Sequence, residues 1–248
     1  MTPWVIRLII ANVVVFLLQQ VRPAITWELA FVPGMVLWRP WTLLTYMFLH
    51  GDFTHILFNM LGLLFFGPRL EMRLGSKSFL WLYVVSGLTG AFLSFLNPHT
   101  AIIGASGAVF GVFMGFAYFW PKEPIYIWGI LPVQARWMVA GMTLLSLLGG
   151  FGYTTDQVAH FAHLGGYLGG FLFLKFLERR TKAAAALTRL SAPVIHSGDI
   201  ERWKAIPRDG LHEVNRSEYD RIMAKLASEG VGRLTDTEKA FLERFSLR

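Results

Sequence analysis

Between Trp4 and Leu177 the chain runs through six mostly apolar stretches, at residues 4–18, 55–66, 79–96, 106–120, 135–148 and 158–177. A helix needs about 20 apolar residues to cross the hydrocarbon core, and fewer where protein or water covers one end. The repetition predicts an all-α membrane protein, a bundle of six transmembrane helices. The second, fourth and fifth stretches are short, which predicts helices that begin below the membrane surface. Composition agrees, with 54% hydrophobic and only 16% charged residues, 21 Phe and 9 Trp; that is not a soluble globular balance.

Charge divides the chain in two. Nine of the 23 Lys and Arg and five of the 16 Asp and Glu lie at or before Leu177, so the last 71 residues form a mixed-charge tail. Arg69, Arg73 and Lys77 fall between the second and third stretches, Lys122 and Arg136 between the fourth and fifth, and Lys175, Arg179, Arg180 and Lys182 at the end of the sixth. By the positive-inside rule both termini are then cytoplasmic. The basic excess reads as topology and not as nucleic-acid binding. In the long first loop, residues 22–54, Arg22 and Arg39 sit on the outer side, and Trp27, Trp38, Trp41 and Tyr46 suit a segment lying in the membrane interface. The first stretch lacks a small-residue cleavage site and reads as a retained helix. With no cysteine, disulfides, a thiolate nucleophile and Cys-based metal sites are excluded.

Two polar residues stand out in this apolar body. Ser106 lies in Gly104-Ala105-Ser106-Gly107 and His163 opens His163-Leu164-Gly165-Gly166. A polar or ionisable group at membrane depth is costly and has a partner or a task. The fourth and sixth stretches run in the same direction, so Ser106 at the start of one and His163 within about two turns of the start of the other reach similar depth near the outer face. Gly107, Gly111 and Gly115 recur every four residues, as do Gly166 and Gly170, and such spacing lets helix backbones approach closely. His163 shares a face with Gly166 and Gly170, and Phe110 is placed to pack near its ring. A serine hydroxyl becomes a nucleophile when a base takes its proton, and neutral imidazole is the usual base near pH 7. His55 and Asn59, one turn apart, and the Ser106 N–H are candidate donors for an oxyanion. His50 and Thr54 add polarity at the mouth. No acidic residue is positioned to orient His163, so the pattern is a dyad.

Plainer readings stand beside this one. Ser106 alone is a small packing residue, His163 alone a hydrogen-bonded interior histidine, and His55 with Asn59 a pair of interhelical hydrogen bonds. His160 reads as an interface-facing residue. Glu71 and Arg73 read as structural, tying the first loop or a helix end. His50, His55, His160 and His163 form no His-Glu-x-x-His helix and have no carboxylate cluster, so no metal site is expected. A transporter would need an acidic relay that the stretches lack.

Five short patterns in order carry a resemblance: Trp38-Arg39, His55-x-x-x-Asn59, Glu71-x-x-Leu74-Gly75, Gly104-x-Ser106-Gly107 and Ala162-His163-x-x-Gly166-x-x-x-Gly170. The chain resembles the rhomboid family of intramembrane serine proteases. The resemblance implies Ser106 as nucleophile, His163 as general base, and His55, Asn59 and the Ser106 amide as oxyanion hole, with no cofactor. It implies single-pass membrane proteins as substrates, cut near the outer end of their transmembrane helix. It also implies lateral access gated by the fifth helix and the loop after it; Gly149, Gly150 and Gly152 in that loop permit large backbone changes, so a mobile cap over residues 149–157 is expected. The membrane would be a bacterial-type cytoplasmic one, and nothing in the pattern specifies an oligomeric state. Phe110 stands where the family also carries a hydroxylated aromatic. The competing class is a non-catalytic rhomboid-like protein that binds transmembrane clients.

Beyond the membrane domain at residues 1–180, residues 181–212 read as a basic helix extension and then a linker, with Pro193 and Pro207. Residues 213–248 read as a cytoplasmic helical hairpin, resembling a tail of many bacterial rhomboids, and a stabilising appendage is the favoured role. Asn215-x-x-Glu218 and Thr235-x-x-Glu238 read as capping boxes. Ile222, Leu226, Leu234, Phe241, Leu242 and Phe245 would form its apolar seam.

Overall fold

The computed structural model describes residues 1–127, 129–152, 159–190 and 197–246. These divide into two units, Met1–Ala183 and Ala184–Arg248. In the first, α1 (Pro3–Val21) leads through the short α2 (Ala24–Leu29) and α3 (Thr42–Thr45) to α4 (Phe53–Leu74), α5 (Ser76–Leu93) and α6 (Ser106–Phe119). A hairpin of β1 (Pro124–Ile127) and β2 (Leu131–Gln134) precedes α7 (Ala135–Gly150) and α8 (His160–Leu190). By length and composition α1, α4 and α5 can cross a membrane, and α6 is a shorter apolar helix.

Local chemistry explains where these elements differ from expectation. The second apolar stretch is not short: α4 begins at Phe53 because the Asp52 carboxylate caps it, accepting the His55 N–H at 2.9 Å, and it runs on past Pro68 to Leu74. The all-α expectation fails at residues 124–134, where Pro124 and Pro132 oppose a helix and Ile, Tyr and Val favour strands. Gly129, at φ 72°, supports the turn, and the strands pair antiparallel with Ile125 opposite Val133. In the first loop Trp27, Trp38 and Trp41 are exposed as an interfacial segment requires, but Tyr46 is 1% exposed. Its hydroxyl donates to the Gly87 carbonyl at 2.7 Å, so it binds the loop to α5 and does not face lipid.

Glu71 ties a helix end. Deep in the unit, its carboxylate accepts the N–H groups of Trp4 and Val5 at 3.1 Å and the Ser76 hydroxyl at 2.7 Å, satisfying donors that open α1. Arg39, of the Trp38-Arg39 pattern, donates to the Trp27 carbonyl at 3.0 Å within the loop.

The centre of the unit is a three-helix contact. One face of α8 meets α6, where a Cβ on Gly170 would lie 2.9 Å from the Gly111 Cα and one on Gly166 would collide with the Gly107 carbonyl. The neighbouring face meets α5, where Gly165 and Gly169 abut Thr89 and a Cβ on Gly90 would lie 2.8 Å from the Ala162 carbonyl oxygen. The glycine spacing predicts the first face; the second, with α5, is not legible from it.

Among the described residues the tail contains three α-helices, α9 (Ser197–Lys204), α10 (Glu213–Glu229) and α11 (Asp236–Ser246). Part of the expected linker is thus helical. Trp203, 1% exposed, packs with Tyr219, Ile222, Leu226, Leu234 and Leu242, and its indole donates to Glu243 at 3.1 Å. The Asn215 box is not used, because α10 starts two residues earlier at Glu213. The Thr235 box forms: the Thr235 N–H reaches Glu238 at 2.7 Å, and the Glu238 N–H returns to the Thr235 hydroxyl at 3.2 Å.

Two outcomes follow. Gly166→Val should cost about 3 kcal/mol or more, because its side chain meets backbone that cannot move aside, whereas Gly141→Ala, which faces open space, should be tolerated in the same thermal unfolding assay. In the tail, the Thr235 N–H and then Lys225 hold the Glu238 carboxyl at about 2, below its ordinary 4.5. A lowered carboxylate pKa adds stability that is complete above pH 4.5 and lost as pH falls toward 2. Amide protection of α10 and α11 should decline across that window, and Glu238→Gln should flatten the decline.

Candidate active site

Ser106 is the first residue of α6 and His163 lies in the first turn of α8. The glycine contacts that bring these helices together leave the His163 Nε2 2.8 Å from the Ser106 Oγ. Phe110, one turn along α6, stacks on the imidazole with ring centroids 4.0 Å apart and planes 21° apart. Tyr167, one turn along α8 from His163, also meets the Phe110 ring, with centroids 4.8 Å apart. The histidine is thereby held by an aromatic face, a serine hydroxyl and close-packed backbone.

Position in α6 matters as well. The first N–H groups of a helix have no partner within it and point toward its N-terminal end. The Ser106 amide is one of these, beside its own hydroxyl. Gly104, just before it, has φ 123°, a conformation that side chains resist, and its N–H donates to the Tyr46 carbonyl at 2.9 Å. The missing side chain leaves room for His55. A Cβ there would lie 2.6 Å from the His55 Nε2 and 3.6 Å from the Ser106 Oγ. Both groups therefore border one small space.

His55 enters from α4. Its Nδ1 accepts a long hydrogen bond, 3.4 Å, from the Gly51 N–H. An accepting Nδ1 puts the proton on Nε2, the nitrogen beside Gly104. Asn59, one turn below, donates one amide hydrogen to the His55 carbonyl at 3.0 Å and keeps a second. His50 is 2% exposed and meets the His55 ring edge-on at 5.0 Å. His160, at the start of α8, packs against Gly149 at the end of α7 and lies edge-on to His163 at 6.4 Å.

A cavity of about 810 Å³ joins these groups, lined by His55, Asn59, Ser106, Phe110 and His163 and, from α7, by Met142. Among the described residues no cluster of His, Asp or Glu could hold a metal ion. The expected cap falls partly on residues 153–157, outside the described residues. Sequence reasoning did not find Asp52 or Gln19. An Asp before an apolar run is a cap signal that was available; Gln19, whose amide bonds the His50 backbone, carries no local signal.

Gly104→Ala tests the shared space. The substitution forces a side chain into the positive-φ region and against the His55 ring, so it should cost about 1–3 kcal/mol in thermal unfolding. The His55 ring resonances should shift in the fraction that remains folded.

The rhomboid domain model matches residues 37–180, more than half of the chain. The chain is similar to RHOMBOID-like protein 4 of Arabidopsis thaliana, 38% identical over 133 residues that cover 53% of this chain and 32% of that one. It is 33% identical over 146 residues to Rhomboid-like protease 3 of Toxoplasma gondii, covering 57% of this chain and 53% of the other. The rhomboid protein YdcA of Bacillus subtilis is 31% identical over 172 residues, 62% of this chain and 83% of that one. The chain thus spans between about a third and about half of the Arabidopsis and Toxoplasma relatives. With a family match that spans more than half of its length and includes Ser106 and His163, this helical, apolar chain is an integral membrane protein that belongs to the rhomboid family.

Proposed function

We propose that the chain is an intramembrane serine endopeptidase working through a Ser106–His163 dyad. The observation that carries the reading is the 2.8 Å contact between the His163 Nε2 and the Ser106 Oγ inside a cavity within the membrane unit. The names of the Toxoplasma and Bacillus relatives, which include rhomboid-like and rhomboid proteases, point the same way.

The chemistry follows from the atoms. With Nε2 unprotonated, His163 takes the Ser106 proton as the Oγ bonds to the carbonyl carbon of the scissile peptide. The carbonyl oxygen gains negative charge. The Ser106 N–H, the His55 Nε2–H and the free amide hydrogen of Asn59 are the donors at hand. His163 then gives its proton to the leaving nitrogen as the C–N bond breaks, leaving an acyl-serine. Water, deprotonated by the same imidazole, releases the acid. Phe110 supports the ring throughout; as a phenylalanine it stacks without the hydroxyl that the family also uses there.

In this reading six helices cross the membrane, both termini are cytoplasmic, and the Ser106 end opens toward the outer face of a bacterial-type cytoplasmic membrane. Substrates are single-pass membrane proteins that arrive from the lipid. Their helix must unwind near the cavity, because a helical peptide bond is shielded from attack. Lateral access beside α7 suits that arrangement: of its sixteen residues only Ala135, Val139 and Ser146 are buried.

Reconstituted cleavage tests the proposal. The full chain in liposomes with a single-pass substrate should produce two fragments. Ser106→Ala and His163→Ala should abolish turnover, and His55→Ala or Asn59→Ala should lower kcat about 10²-fold with a smaller effect on KM. A folded wild-type chain that never cleaves, but retains transmembrane proteins in stable complexes, would support the client-binding alternative instead.

A further inference from the structure

We propose that Gln19 is a positioning residue for the oxyanion side of the site, acting through His50 on His55; this rests on the hydrolytic reading above. Gln19 lies near the end of α1, before the residues 37–180 that the rhomboid model matches. No family pattern covers it. Its side chain is nonetheless 5% exposed and uses both ends of its amide.

The partner is the backbone of a residue 31 positions away. The Gln19 Oε1 accepts the His50 N–H at 3.0 Å, and its Nε2 donates to the His50 carbonyl at 3.2 Å and to the Thr26 hydroxyl at 2.9 Å. One side chain thus saturates the main-chain donor and acceptor of one residue, as a neighbouring strand would. These groups are buried, so removing the amide leaves them unsatisfied unless the loop moves.

The His50 ring makes that movement consequential. It is buried, and neither ring nitrogen forms a hydrogen bond of good geometry among the described residues. Packing and the backbone set its position, and the backbone is fixed by Gln19. The ring meets His55 edge-on at 5.0 Å. Burial, and next the facing His55, push the His50 imidazole down to about 4, while the Phe48 carbonyl and Asp52 partly oppose this. At neutral pH His50 is therefore an uncharged wall behind His55. His55 also borders Gly104, and the His55 Nε2 faces the space beside Gly104 that the Ser106 Oγ shares. Gln19, His50 and His55 form a contiguous line from α1 to the position where the oxyanion develops.

Gln19→Met keeps length and volume while removing the three hydrogen bonds. In the full chain in liposomes, the variant should lower kcat by between about 10- and 100-fold with KM within about twofold, the pattern of a misplaced oxyanion donor. The ¹⁵N ring resonances of His55, assigned with His55→Gln, should move, while those of His163 stay in place. Unchanged kcat and unchanged His55 resonances in a folded variant would overturn the proposal. So would a fall in kcat that matches only the unfolded fraction, with His55 unmoved. If the wild-type chain does not cleave at all, the hydrolytic reading fails by itself, and the His55 resonances still decide whether Gln19 positions that ring.

Discussion

Everything at the site depends on how closely α8 approaches α5 and α6. Helices in lipid gain little from hydrophobic burial against each other, since lipid tails are as apolar as leucine, so contact must come from backbone packing and hydrogen bonds. Gly165 and Gly169 meet α5 while Gly166 and Gly170 meet α6. A single methyl at several of these positions would meet main-chain atoms. Because His163 lies on the same helix just before them, the spacing of the helices sets the 2.8 Å contact with Ser106. Phe110 then fixes the ring plane. Packing and chemistry here are one constraint.

A second set of interactions closes the polar accounts of the same unit. Glu71 satisfies the start of α1, Tyr46 reaches from the first loop to α5, and Gln19 holds the main chain of His50. An unpaired buried polar group costs several kcal/mol in an apolar medium, about 2–7 for an amide or hydroxyl, so such bonds are strong determinants of where loops settle. The first loop is thus tied to the core at Tyr46 and His50 while Trp27, Trp38 and Trp41 remain exposed. The backbone of His50, beside His55, is thus held by Gln19 from outside the segment that the rhomboid model matches.

Legibility in the sequence follows the range of the interaction. Ser106 and His163 could be paired because each is marked by local spacing, glycines at four-residue intervals and a start at matching depth. His55 and Asn59 could be joined to them because they are one turn apart on a single helix. The hairpin at residues 124–134 was hidden because apolar run length says nothing about Pro124 and Pro132, whose effect is steric. The third tail helix was hidden because Trp203 sits in a stretch bounded by prolines, and only its contacts with α10 and α11 reveal why it is ordered. Tyr46 looked like its interfacial neighbours because aromatic composition does not distinguish a lipid-facing ring from one with a buried partner. Gln19 had no signal at all, since its partner is the backbone of His50 and a backbone group has no residue identity to read.

The account turns on Ser106 being a nucleophile activated by His163. The most direct measurement is to treat the full chain in liposomes with a fluorophosphonate and locate the adduct by peptide mass mapping, in the wild type and in His163→Ala. A single adduct on Ser106, lost or strongly slowed without His163, is the predicted result. A folded wild-type chain that remains unmodified at Ser106, or that reacts equally well without His163, would contradict it.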